Sequence, residues 1–446
     1  MKKEELSYLY LVLFHVFIGF VIYLLPFTAK LYGYSMFLLG SYFVIKTQNR
    51  NNEALIVAAY IVGAEVLLRM TGGNISYEFS KYAVIIFLFM GIYFSGFSKG
   101  ATPYWIFLLL LVPGVVISTF VLNFDTNIRT TIAFNISGPV CLAVASLYTY
   151  RRKIALEQLN NILLSMGLPI LSCAIYLFFY TPSIRDVITS TQSNFEASGG
   201  FGPNQVATFL GLGMFIFFSR IILESKSKFL VILNLIIVFN ISYRGMITFS
   251  RGGMITGFLM ILLLLLFLYL KSNYRGKVKL NYIIVIIAMA MMAVWGFTSF
   301  QTGGLINKRY KNQDAAGRVK ENQFTGREDI AQSEINMFLE NPIFGVGVAK
   351  GAEIRETESG VFAASHDEIT RMLAEHGSLG IIGLLILFFT PLILYLENSF
   401  NMYLLCFLAF WFLTINHAAM RTAVPAFVYS LALLNVQLGS AKRSVQ

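Results

Sequence analysis

Residues 252–270 read GGMITGFLMILLLLLFLYL, nineteen consecutive positions without a charge. A helix of about 17–25 such residues crosses a bilayer. Helix is the economical state there, because lipid offers no partner to an open strand's backbone groups. Outward from this stretch, comparable apolar runs recur at 6–26, 31–46, 54–70, 80–98, 103–122, 130–150, 160–180, 203–221, 229–247, 280–300, 377–396, 400–416 and 421–438. The pattern predicts an all-α polytopic membrane protein. The runs number fourteen, but 31–46 is short and the last two are joined by a tight turn, so the expectation is about 12–14 transmembrane helices. Residues 1–300 carry spans one to eleven, 301–376 form one long external loop with two short helices, and 377–446 carry the C-terminal spans. The N-terminal run has no small-residue cleavage site behind it and reads as a retained first span.

Composition excludes a soluble domain. Of 446 residues, 57% are hydrophobic and 13% charged, with a mean hydropathy of +0.68, more apolar surface than a water-soluble fold needs. The net charge of +11 raises nucleic acid as a partner, and the positions of the cations answer it. Seventeen of the 34 Lys and Arg fall on the termini and loops of one side. Eight fall on the other side once the long loop is set aside, since long loops cross regardless of charge. The first side is therefore cytoplasmic. The long loop carries nine cations and twelve carboxylates, so it is net acidic and a poor surface for nucleic acid. Cys141, Cys173 and Cys406 lie far apart within apolar runs, as filler, with no disulfide or metal spacing.

The loop holds the polar chemistry. Thr325-Gly326-Arg327-Glu328 and Ser365-His366-Asp367-Glu368 both carry a hydroxyl with a carboxylate three residues on, the capping-box spacing. The first predicts a helix from Arg327 to Glu340, stopped by Asn341-Pro342. Its Ile330, Met337 and Phe338 share a face that Glu334 interrupts, as in an amphipathic cover. The second predicts a helix from His366 to His376, ending on Gly377 as a left-handed cap. Gly345, Gly347 and Gly351 make the connector turn-rich.

Several side chains on this outward face invite a role. Arg251 opens the 252–270 helix between Ser250 and two glycines, and a guanidinium at a helix N-terminus suits an anion; a snorkelling anchor is the alternative. Arg244 lies seven residues before it. Arg327 sits where a cation opposes the helix dipole, which points either to a phosphate or to a nearby carboxylate. His366, in a first helical turn, is expected to stay neutral and able to accept a proton or hydrogen bond; a plain surface histidine is the alternative. Arg371 is four residues from both Asp367 and Glu375, a charge ladder on one face. Glu65 and Arg69, four apart within one span, read as a structural pair, and His15 as a packed core residue.

Taken in order, SRGG at 250–253, R-x-x-x-x-x-x-E at 327–334, NPIFGVG at 341–347, SH at 365–366 and LAEHGSLGIIG at 373–383 resemble the membrane family of O-antigen ligases and O-antigen polymerases. GGFGPNQVA at 199–207 is similar to the strip before a span in that family, and the likeness covers roughly 195–385. The resemblance implies a metal-independent, inverting glycan transfer without a cofactor, outside the cytoplasmic membrane. The donor would be a glycan on undecaprenyl pyrophosphate. The acceptor would be a sugar hydroxyl on lipid-A core (a ligase) or on another lipid-linked glycan (a polymerase). Arg251 and Arg327 would hold the pyrophosphate and His366 would orient or deprotonate the hydroxyl. Arg244, Arg371, Arg421, Glu375 and Asn204 would give supporting contacts. Some relatives carry an Arg close before the Gly-Pro-Asn strip; here Glu196 stands nearby and the only loop arginine is Arg185, which favours the ligase. A lipid-linked oligosaccharide flippase is the contrasting class, but its cations would line a cavity within the spans, whereas these gather at one face.

Overall fold

The computed structural model describes residues 3–123, 125–319, 327–360, 365–397 and 400–437. In chain order its helices are α1 (Lys3–Leu24), α2 (Thr28–Thr47), α3 (Glu53–Thr71), α4 (Phe79–Ser95), α5 (Thr102–Val121), α6 (Ile128–Thr149), α7 (Leu156–Tyr180), α8 (Ile184–Val187), α9 (Pro203–Leu223), α10 (Lys228–Ile247), α11 (Arg251–Lys271), α12 (Tyr274–Gln301), α13 (Leu305–Tyr310), α14 (Arg327–Glu340), α15 (Lys350–Ser359), α16 (Glu368–Glu397), α17 (Leu404–Ile415) and α18 (Ala423–Leu431). A two-stranded parallel ribbon, β1 (Lys153–Ala155) with β2 (Asn435–Gln437), is the sheet among the described residues. The chain is an all-α polytopic membrane protein. Among the described residues, ten helices are long and apolar enough to cross a membrane, and α4 and α17 are shorter apolar helices. Each of the fourteen expected spans contains a helix. Of the remaining two, α2 carries Lys30, Lys46 and several tyrosines and serines, and α18 is nine residues long.

Packing divides the chain into two interleaved units rather than by sequence order. The first comprises Met1–Lys46, Leu55–Tyr77 and Glu157–Glu321; the second comprises Thr47–Ala54, Glu78–Leu156 and Asn322–Gln446.

In the first unit α9 and α11 pack backbone to backbone. A Cβ on Gly253 would lie 2.1 Å from the Thr208 amide nitrogen, and one on Gly257 2.3 Å from the Gly211 carbonyl oxygen. Glycines four apart on one helix face allow such an approach in a medium where helices have no hydrophobic drive to associate. Half of the SRGG signal is therefore packing. Glu65 and Arg69 form a pair at 3.0 Å, as their spacing predicts. His15 is buried, with Nε2 at 2.9 Å from the Tyr60 hydroxyl.

In the second unit the NPIFGVG stretch is a strap pinned on both sides. Val346 N–H donates to the Ala374 carbonyl at 2.8 Å, Gly347 to Glu375 at 3.2 Å and Val348 to Gly114 of α5 at 3.2 Å. Gly345 (φ 72°) and Gly347 (φ 94°) hold conformations open to glycine. Helix α14 spans the predicted Arg327–Glu340; its proposed cap, Thr325, lies outside the described residues. The second capping box is corrected. The Ile369 N–H bonds to Asp367 Oδ1 at 2.8 Å, so Asp367 caps α16. The helix starts at Glu368, two residues after His366. Gly377 (φ 59°, ψ −140°) breaks α16 where its end was predicted, but the chain resumes helix at once and continues into the apolar span. Helix α15 was not predicted at all.

Candidate functional site

The second unit holds a cavity of about 570 Å³. Its walls come from α4 (Lys81), the α5–α6 connection (Asn123, Asp125, Thr126), α6 (Thr131, Phe134, Asn135), α14 (Glu334), α15 (Glu353, Arg355, Glu356), Ser365, α16 (Glu368, Arg371, Glu375) and Met420-Arg421. The strap described above brings α15 and α16 to this place.

Most charges around the cavity are fixed by partners. Glu334 is 2% exposed and accepts hydrogen bonds from Thr370 Oγ1 at 2.6 Å, Arg355 Nη1 at 3.1 Å and Ser365 Oγ at 3.3 Å. Arg371 pairs with Glu368 and donates to Asn135 Oδ1 at 3.0 Å. The other Glu368 oxygen accepts the Met420 N–H at 3.3 Å, and Glu375 accepts the Ala349 N–H at 2.9 Å. Glu353 ties α15 to the α5–α6 connection through Thr126 Oγ1 at 2.7 Å and pairs with Lys350 at 2.8 Å. Lys81 is buried, pairs with Glu78 and donates to Ser137 Oγ at 2.9 Å. Arg421 Nη2 donates to the Ser365 carbonyl at 2.6 Å.

Burial and hydrogen-bond donors compete in the titration of the carboxylates around the cavity. Burial raises Glu334 above the ordinary carboxylate range, outweighing the donors Thr370 and Arg355. Burial also raises Asp367, helped by the neighbouring Glu368 charge. Burial pushes Glu353 up too, yet the donors Lys350, Thr126 and Asn123 together hold it below its usual value.

Among the residues singled out from sequence, Arg371, Glu375 and Arg421 line this one cavity. His366 is half-buried in a bend between the lining residue Ser365 and the cap Asp367, ahead of the helix rather than in its first turn. The helix-dipole reason for a neutral imidazole therefore loses its basis. Arg371 pairs with Glu368 in place of Asp367, whose carboxylate is occupied as the cap. Arg327 opens α14; its side chain lies outside the described residues.

Arg244, Arg251 and Asn204 belong to the first unit. Arg244 is 2% exposed and spends its guanidinium on the carbonyls of Thr181 at 3.2 Å and Phe178 at 3.3 Å, a structural use. Arg251 is half-buried at the start of α11, with Nη1 at 3.4 Å from the Arg309 carbonyl. The Arg309 side chain in turn donates to the Phe249 carbonyl at 2.9 Å and the Ser193 hydroxyl at 3.2 Å. Asn204 Oδ1 accepts the Ser250 hydroxyl at 2.7 Å, which joins the Gly-Pro-Asn strip to SRGG.

Sequence reading missed Lys81, Glu334, Glu353, Arg355 and Glu368 as site residues. Lys81 carried a usable signal, a lone cation inside an apolar run. Glu334 was visible only as a break in an apolar face, and that break is the buried centre of the network. Arg355 and Glu353 sit on α15, which is polar all round and has no periodicity to reveal it.

Residues 235–385 match the sequence model of the O-antigen ligase family. The matched stretch begins within α10 and ends within α16, taking in Arg244, Arg251, Arg327, His366, Arg371 and Glu375 and leaving out Asn204, Lys81 and Arg421. No curated protein matches the chain.

Proposed function

We propose that this membrane protein of the O-antigen ligase family moves a polysaccharide from undecaprenyl pyrophosphate to a sugar hydroxyl at the outer face of the bacterial cytoplasmic membrane. The family implies a glycosyltransferase-like ligase acting on lipid-linked glycan donors and glycan acceptors. Arg251 and Arg327 neutralise the donor pyrophosphate, a task for which forked guanidinium donors are suited. His366 takes the proton from the acceptor hydroxyl. The hydroxyl oxygen forms the new bond to the anomeric carbon from the face opposite the carrier, and the carbon–oxygen bond to pyrophosphate breaks with its electron pair leaving on the phosphate. Inversion at that carbon follows. Pyrophosphate is already a good leaving group, so positioned cations and one base suffice without a metal.

The observation that carries this reading is the charged cavity beside Ser365-His366, about half of whose lining lies in the stretch that matches the family. Lipid-A core is the preferred acceptor, because Glu196 stands where some polymerases carry an arginine. Deleting the gene tests it. Undecorated core with full-length chains retained on the carrier lipid supports a ligase, single-repeat decoration supports a polymerase, and donor stranded on the cytoplasmic side supports the flippase.

A further inference from the structure

The lining of the second unit's cavity carries more carboxyl groups than cationic side chains. Four cations, Lys81, Arg355, Arg371 and Arg421, face six carboxylates, Asp125, Glu334, Glu353, Glu356, Glu368 and Glu375. Three of the cations are already matched: Arg355 with Glu334, Arg371 with Glu368 and Lys81 with Glu78. Asp125 and Glu356 are exposed, so their charges meet whatever enters from solvent. A phosphate brought here would meet Arg355 and Arg371 already paired with carboxylates and would be repelled by the exposed Asp125 and Glu356. Pyrophosphate, the anionic part of the donor, is a poor occupant. A glycan is a good one. The walls offer hydroxyls and amides from Thr126, Thr130, Thr131, Asn123 and Asn135, carboxylate acceptors for sugar hydroxyls, and the ring of Phe134 as an apolar face.

Resting on the transfer reading above, we propose that this cavity is the acceptor subsite and that it selects an uncharged or amino-bearing sugar. A phosphorylated or uronic acid sugar is rejected next to the attacking hydroxyl. The volume of about 570 Å³ suits a short oligosaccharide segment and not a polymer. The ligase and polymerase alternatives both remain compatible with it, since only the sugars inside the cavity are specified.

The test uses the full chain in lipid nanodiscs and three synthetic oligosaccharides identical but for one position, bearing a hydroxyl, an amine or a phosphate monoester. Direct binding is measured by titration calorimetry without donor. The hydroxyl and amine forms are expected to bind at least about tenfold tighter than the phosphate form. The double variant Asp125→Asn/Glu356→Gln is expected to narrow that gap by strengthening phosphate-form binding. Equal or tighter binding of the phosphate form, or no binding of any of the three, overturns the proposal. A transfer assay with lipid-linked donor separates the two readings. Selective binding without transfer leaves the subsite assigned and removes the enzymatic reading. Transfer without selectivity removes the subsite's specificity alone.

Discussion

Arg244 of the first unit and Arg355 and Arg371 of the second are held in two different ways. In the first, Arg244 lies buried against backbone carbonyls; in the second, Arg355 and Arg371 lie against carboxylates around a cavity. A guanidinium held by carbonyls completes the hydrogen bonding of a helix end. A guanidinium held by a carboxylate is fixed in orientation, and the pair presents alternating donors and acceptors to whatever enters. The comparison teaches that an arginine near a glycine-rich turn is not by itself an anion site. What decides is the identity of the atoms already holding it.

The largest effect is expected from Glu334→Ala. It strands Arg355, Thr370 and Ser365 around a buried gap, and breaking one partner of a buried ion pair costs about 3–5 kcal/mol. Thermal unfolding of the purified full chain checks this, and an unchanged midpoint would erase the difference drawn between the two units. Next, Gly253→Leu is expected to disrupt the α9–α11 contact, costing about 1–3 kcal/mol as overpacking. Gly296→Ala, where no atom lies within 4 Å of the added Cβ, is expected to be neutral or slightly stabilising. Arg244→Met leaves two carbonyls without their donor and is expected to cost about 1–3 kcal/mol. Arg251→Met is expected instead to abolish transfer while expression and unfolding stay near normal, so measuring both variants both ways sharpens the contrast.

The smallest effect concerns pH. Asp367 has its folded pKa raised by burial, so its contribution is fully present below the ordinary carboxylate range and is lost as pH rises through the raised value. Asp367→Asn retains a good helix cap and is expected to flatten stability in that window, seen as a weaker pH dependence of the unfolding midpoint. An unaltered profile would mean that Asp367 is solvated like a surface carboxylate.

Sequence made the membrane helices legible because an apolar run has few other uses, and α14 stops at its predicted Glu340 because Asn341-Pro342 follows it. The start of α16 moved by two residues because Asp367, not Ser365, found the free amide of Ile369. Both are chemically able to cap, and only packing chooses. Lys81 and Glu334 were unreadable as partners of one cavity because their significance comes from residues hundreds of positions away or on a helix without periodicity. Arg244 looked like Arg251 in sequence. Their difference is burial: Arg244 is sunk against the carbonyls of Thr181 and Phe178, whereas Arg251 is half-buried with a longer contact to the Arg309 carbonyl, and the fold alone decides which.

Transfer by the purified full chain, from a glycan on undecaprenyl pyrophosphate to an acceptor oligosaccharide, compares wild type with His366→Ala most directly. If His366 takes the acceptor proton, the variant loses transfer by about 100-fold or more while it inserts and unfolds as the parent does. Transfer at near-parental rate by His366→Ala would contradict a base at this position.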